Sequence, residues 1–127
     1  MMIKSNTQST ISLLAEINQE QVLLIIDTGL TYNVISESRA AELDLHIEPL
    51  AEPINIQTAN KDQQQIKSKA HTVISFIDGD DKHKLDTVFL IAPNFVSDII
   101  IGLEFLKNSG VNILISDNKI KFPNFEV

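Results

Sequence analysis

The 127-residue sequence has no cysteine and no tryptophan, only four glycines and four prolines, and few basic side chains. Without cysteine it has neither a disulfide framework nor a thiolate metal site, and nothing signals secretion. Ten Lys and Arg against seventeen Asp and Glu give a net charge of −7, which argues against a nucleic-acid-binding surface. No apolar run approaches the roughly 18 residues of a membrane helix. We therefore expect a soluble, cytoplasmic domain with no nucleic-acid or membrane partner.

The apolar residues that are present favour β-structure. Isoleucine, leucine and valine dominate an apolar fraction of 43%, and these residue types suit a pleated, half-buried surface. Apolar side chains alternate with polar ones along 11–17 and 66–76, which is the period of a strand with one face covered. We expect an all-β fold with at least eight strands and two short helices. The length suits one domain, residues 1–127 with a core of about 9–122.

One stretch carries an unusual carboxylate. Five apolar residues, Val22 to Ile26, run directly into Asp27-Thr28-Gly29. Such a run predicts a strand buried on both faces that ends at Asp27. A buried carboxylate costs several kcal/mol unless it is paired, so a sequence that places one there uses it. The same tripeptide also suits an ordinary turn, and by itself it does not distinguish the two readings.

Local signals mark the segments that follow. Ser36 is expected to cap a helix of two turns ending near Asp44, and Gly110 to end a second helix in the left-handed conformation. Pro49 and Pro53 predict an extended connection rather than regular structure. Two long, polar arms, starting at 54 and ending at 76, predict a projecting hairpin of the kind that forms a lid.

A second apolar strand, 98–101, also ends in a glycine, Gly102. The histidines are scattered without ligand spacing, and 78–81 lacks the alternating ligands of a calcium loop, so we expect no metal and no cofactor. No Ser-His-Asp constellation or phosphate-binding glycine loop is present.

Taken together, these motifs resemble the retropepsin family, the aspartic proteases of retroviruses and long-terminal-repeat retrotransposons. The resemblance is carried by Ile25-Ile26-Asp27-Thr28-Gly29 followed by Asn33-Val34-Ile35-Ser36. About 70 residues further on, Ile100-Ile101-Gly102-Leu103-Glu104-Phe105-Leu106 matches the second family motif. The resemblance implies a closed, barrel-like acid protease lobe with a flap hairpin and one or two short helices.

The resemblance also implies a chemistry and a partner. Two carboxylates sharing one proton hydrolyse the peptide bond, and this chain supplies only Asp27. A homodimer completes the pair, with Thr28 bonding across the two-fold axis and Gly29 allowing close approach. Gly102 lets the second strand pass behind the catalytic loop. The implied function is a homodimeric aspartic endopeptidase acting on a peptide or retroelement polyprotein.

The resemblance places substrate-binding positions at Leu30 and at the flap tip, which comprises Thr58, Ala59, Asn60 and Lys61. Leu30 departs from the Ala or Ser usual there, and the tip lacks the usual glycine. These departures keep open a catalytically inactive dimerisation or peptide-binding module. A cellular protease of the same type, with substrates outside any polyprotein, is a further alternative.

Overall fold

A computed structural model gives the fold, and it describes residues 4–5, 11–57, 63–93, 99–110, 112–114 and 119–121. Ten strands and two helices lie within these residues. The strands are β1 (Lys4–Ser5), β2 (Ile11–Ile17), β3 (Glu20–Ile26), β4 (Val34–Ser36), β5 (Ile47–Gln57), β6 (Gln63–Asp78), β7 (Asp81–Ala92), β8 (Ile99–Ile101), β9 (Asn112–Leu114) and β10 (Lys119–Lys121). The helices are α1 (Glu37–Glu42) and α2 (Leu103–Ser109). The predicted β-rich class is confirmed.

Six of the strands close into a barrel. Their order is β2-β3-β8-β4-β7-β6, and β6 pairs back with β2, which closes the sheet. Strand β1 extends the sheet beside β2, and β5 extends it beside β6. Two pairings are parallel, β3 with β8 and β4 with β7. Because the sheet is closed, the inward-facing side chains fill the interior of the barrel as an apolar core, as in other small barrels.

The core is built from alternate residues of the barrel strands. On β2, Leu13, Ala15 and Ile17 are buried, and on β6 the predicted inward parity is confirmed by Ile74 and Phe76. Burying such side chains contributes roughly 1.5–3 kcal/mol each. Strands with a period of two therefore account for most of the driving force of the fold.

Strand β3 corrects one prediction. We expected Val22 to Ile26 to be buried on both faces, but Leu23 is 44% exposed, while Val22 and Leu24 are buried. At β3 only one face of the strand meets the core, and the other face points outward. Leu23 lies directly opposite Leu14, which is 39% exposed, so two leucines form an outward pair.

Tight turns and a helix cap join these strands. The β2–β3 turn carries Asn18 and Gln19 at φ values of 50° and 68°, and the β6–β7 turn carries Gly79 at 62°. Positive φ at these positions matches the right-handed twist of a hairpin. Ser36 accepts a hydrogen bond from the backbone N–H of Arg39 at 3.1 Å, and this confirms the predicted N-cap of α1.

Strand β5 corrects a second prediction. Pro49 and Pro53 were expected in an irregular connection, but both lie within β5. Among the described strands this one pairs with β6 alone, and its register shifts between Pro49 and Ile54. An edge strand tolerates proline because one row of its N–H groups has no ladder partner to lose.

The C-terminal part agrees with prediction where it is described. Gly110 ends α2 with φ of 72°, the left-handed conformation that lacks a steric cost only for glycine. Strands β9 and β10 pair in antiparallel fashion.

Candidate active site

Asp27 lies at the end of β3, where two strands hold its backbone. Strand β3 runs parallel to β8, with Ile26 opposite Ile101. The backbone N–H of Asp27 then donates to the carbonyl of Ile101 at 3.0 Å, which extends the ladder by one residue. The barrel therefore fixes the position of Asp27, while its half-buried side chain remains accessible from outside.

The loop after Asp27 folds back on the carboxylate. The backbone N–H of Gly29 donates to Asp27 Oδ1 at 3.0 Å, and that of Leu30 donates to the carbonyl of Asp27 at 3.2 Å. A Cβ at position 29 would lie 3.2 Å from Asp27 Oδ1, so glycine leaves that oxygen uncrowded. Thr28 and Gly29 are exposed. The stretch is thus a strand that ends in a turn, and the turn orients one carboxylate oxygen of Asp27. The side chain of Asp27 is half-buried and not buried as expected.

Gly102 lies directly behind this loop. A Cβ at position 102 would lie 2.4 Å from the carbonyl oxygen of Tyr32 and 2.7 Å from that of Leu30. Contacts this short do not occur for real Cβ atoms, so any side chain would displace the loop. The φ of Gly102 is −95°, which any residue adopts. Glycine is required here because a side chain has no room, and not because of the backbone conformation. This agrees with the prediction that Gly102 lets the second strand pass behind the loop.

Helix α2 is attached to the same loop. The backbone N–H of Leu103 donates to the carbonyl of Leu30 at 2.8 Å, and that of Glu104 donates to the carbonyl of Thr31 at 2.9 Å. The first N–H groups of a helix have no partner within the helix. Here the loop carbonyls satisfy two of them, so α2 and the Asp27 loop stabilise each other.

Asn33 is a site residue whose role the sequence did not reveal. Its side chain is buried, its Oδ1 accepts from the backbone N–H of Gly102 at 2.9 Å, and its Nδ2 donates to the carbonyl of Val88 at 3.2 Å. Its own carbonyl accepts from Leu90 N–H at 2.9 Å. In the sequence, Asn33 stands out only as part of the family motif. Its position as a polar residue directly before an apolar strand is the one local feature that indicates a structural role.

Leu30 faces a second, smaller apolar cluster. It is partly buried against a group of residues from the β4, β5, β6 and β7 strands: Val34, Leu50, Ile54, Ile56, Ile66, Leu90 and Ala92. Ile54, Ile56 and Ile66 belong to the arms of the predicted flap hairpin, which pair from Ile54 opposite Ile66 to Gln57 opposite Gln63. Leu30 therefore connects the Asp27 loop to the base of that hairpin.

The other predicted binding residues, Thr58, Ala59, Asn60 and Lys61, lie outside the described residues. Over the part of the chain that the structure describes, no group of three or more His, Asp or Glu side chains is placed to hold a metal ion. Among the same residues, no helix has the length and apolar character of a membrane span.

Comparisons with known proteins agree with this geometry. The profile of a family described as "gag-polyprotein putative aspartyl protease" matches residues 13–108. No curated protein sequence gives a significant match. The retroviral protease-like domain of Ddi1 from Leishmania major is 18% identical, with a TM-score of 0.66 over 90% of this chain and 88% of that one.

Two further solved structures share the fold. A retropepsin-like aspartic protease from Rickettsia conorii is 17% identical, with a TM-score of 0.53 over 89% of this chain and 82% of that one. EIAV protease, solved with the inhibitor HBY-793, is 15% identical, with a TM-score of 0.57 over 88% of this chain and 99% of that one.

Fold and site together define a retropepsin-like aspartic protease lobe, which confirms the resemblance stated from the sequence. The chain belongs to the gag-polyprotein aspartyl protease family, whose profile spans both the Asp27 loop and Gly102.

Proposed function

We propose that the protein is a homodimeric aspartic endopeptidase in which Asp27 of each of two subunits contributes one catalytic carboxylate. The observation that carries the proposal is the way Asp27 is held: its backbone bonds to Ile101, its Oδ1 accepts from Gly29, and its side chain stays accessible. The sequence contains one Asp-Thr-Gly. Acid–base hydrolysis by this route needs two carboxylates, so a second copy is the natural source of the other.

The chemistry follows from two carboxyl groups that share one proton. The ionised carboxylate takes a proton from a water molecule, whose oxygen attacks the peptide carbonyl carbon. The protonated carboxyl gives its proton to the carbonyl oxygen, and a tetrahedral diol forms. Collapse of the diol breaks the C–N bond, and the amine leaves with a proton from the dyad. Thr28, beside Asp27 in each subunit, would bond across the two-fold axis and hold the pair together.

The open position of Asp27 supports a site shared between subunits. Thr28 and Gly29 beside it are exposed, and the two cavities of about 370 and 510 Å³ among the described residues are lined by neither Asp27, Thr28, Gly29 nor Leu30. Small-molecule sites are normally concave, and an open surface around a carboxylate would become a cleft only when a second subunit covers it. The proposed substrate is an extended peptide lying between the two subunits.

We propose Leu30 and the tip residues Thr58, Ala59, Asn60 and Lys61 as substrate-binding residues. The paired arms of the hairpin would carry the tip over the substrate, whose backbone could add as a strand. The family's description as a gag-polyprotein protease favours a polyprotein as the natural substrate.

The proposal is tested by incubating wild-type and Asp27→Asn proteins with a peptide library at several pH values. We expect cleavage that depends on Asp27, together with a dimer in sedimentation. A folded dimer without Asp27-dependent cleavage at any pH would instead support a dimerisation or peptide-binding module. Cleavage of unrelated proteins but not of a polyprotein junction would support a cellular protease.

A further inference from the structure

A separate cavity of about 370 Å³ lies between strand β7, helix α2 and the loop residue Tyr32. Its lining includes Leu85, Leu90 and Phe105, whose exposed fractions are only 5–8%, so side chains from β7 and α2 form its apolar floor. The volume lies near the lower end of the range for ligand sites, about 300–1,000 Å³, which suits one or two side chains.

Two exposed apolar groups border the same cavity. Tyr32 is 37% exposed and Val88 is 43% exposed, although both are large side chains that burial would stabilise. Six large apolar side chains are this exposed among the described residues, and two of them meet here. Such a concentration beside a concave surface is typical of a contact site.

The cavity also carries uncompensated negative charge. Asp86 of β7 and Glu104 in the first turn of α2 both line it, both are exposed, and neither forms an ion pair within the described part of the chain. Among the described residues that line it, none is Lys, Arg or His. The net charge of −7 adds to the local potential. A bound anion would be repelled, whereas a cation would be attracted from both sides of the cavity.

We propose that this cavity binds a lysine or arginine side chain of a segment from another protein, with an apolar residue beside it. The aliphatic stem would lie along Leu85 and Phe105, since long basic side chains cover apolar surface while their charged ends stay hydrated. The charged end would lie between Asp86 and Glu104, and the Tyr32 ring offers an additional face for it. The site does not involve Asp27, and its occupation does not depend on the proposed catalysis.

The test uses the Asp27→Asn protein, so that no peptide is cleaved during the measurement. Isotope-labelled protein is titrated with the acetylated peptide Ala-Leu-Arg-Leu-Ala, and with the same peptide carrying uncharged citrulline in place of arginine. We expect shift changes at the methyl groups of Leu85, Val88 and Leu90 with the arginine peptide, and much weaker binding with citrulline. Raising the salt concentration should also weaken the binding.

The matched variants separate this site from general charge attraction. Asp86→Asn with Glu104→Gln should weaken binding about tenfold, since each exposed ion pair contributes modestly. Asp44→Asn with Glu52→Gln removes the same charge from exposed positions elsewhere and should leave binding unchanged. Equal affinity in both double variants, or equal affinity for citrulline, would overturn the proposal. If the Asp86 and Glu104 changes instead reduce self-association without affecting the peptide, the occupant is a second copy and the proposal is wrong.

Discussion

Asn33 and Gly102 are 69 residues apart in the chain, and a hydrogen bond of 2.9 Å joins them: Asn33 Oδ1 accepts from the buried N–H of Gly102. The other end of the same amide donates to the carbonyl of Val88. One side chain therefore ties the Asp27 loop to β7 and to the turn between β8 and α2. These side-chain bonds add to backbone bonds between the same segments, from Leu90 N–H to the Asn33 carbonyl and from Leu103 N–H to the Leu30 carbonyl.

Replacing Asn33 by alanine should destabilise the protein by about 2–4 kcal/mol, because it leaves the Gly102 N–H buried without a partner and removes a second bond. Urea unfolding measures the change. Asn55→Ala, at an exposed position of β5, is the control and should shift the free energy of unfolding by less than about 0.5 kcal/mol. Equal stabilities for the two variants would show that the Asn33 amide is not needed to hold the loop.

Gly102→Ala should be more damaging than Gly79→Ala, for different physical reasons. At position 102 the new Cβ meets backbone carbonyls, which cannot rotate away, whereas at 79 no atom of the described residues lies within 4 Å of it. Gly79 has φ of 62°, so alanine there costs only the left-handed penalty of about 1–2 kcal/mol. Thermal unfolding of both variants makes the comparison. A Gly102→Ala protein as stable as Gly79→Ala would contradict the packing described behind the loop.

Leu30→Ala should leave the proposed activity present while changing its substrate preference. Leu30 is only partly buried in the smaller cluster, so truncation should cost about 1–2 kcal/mol of stability. The space vacated beside Asp27 should raise kcat/KM for substrates with larger side chains near the scissile bond. Leu14→Ala, on the outer face of β2, is a control that should leave the preference unchanged. Identical cleavage profiles for Leu30→Ala and wild type would remove Leu30 from the binding residues.

The features that the sequence predicted correctly depend on neighbouring residues. The Ser36 cap, the Gly110 helix end and the alternation along β2 and β6 are each decided within a few residues, where steric and hydrogen-bonding preferences act directly. The family motif added the prediction that Gly102 lies behind the loop that begins at Asp27.

The features that the sequence did not predict depend on how distant strands pair in the closed barrel. Leu23 is exposed because only one face of β3 meets the core, and Pro49 is tolerated because β5 lies at the edge of the described sheet. The partners of Asn33 lie 55 and 69 residues away, so no local pattern could identify them. Long-range contacts of this kind can be identified only once the strand order is known.

The central claim, that Asp27 is half of an active site completed by a second copy, is tested most directly by mixing subunits. Wild-type protein is re-equilibrated with Asp27→Asn protein at constant total concentration, above the concentration at which the dimer forms, and cleavage per wild-type subunit is measured. In about nine-fold excess of the variant, only about one tenth of wild-type subunits would have a wild-type partner, so the activity per wild-type subunit should fall to about that fraction. Unchanged activity per wild-type subunit would mean that each chain cleaves without the other's Asp27, and would contradict the account.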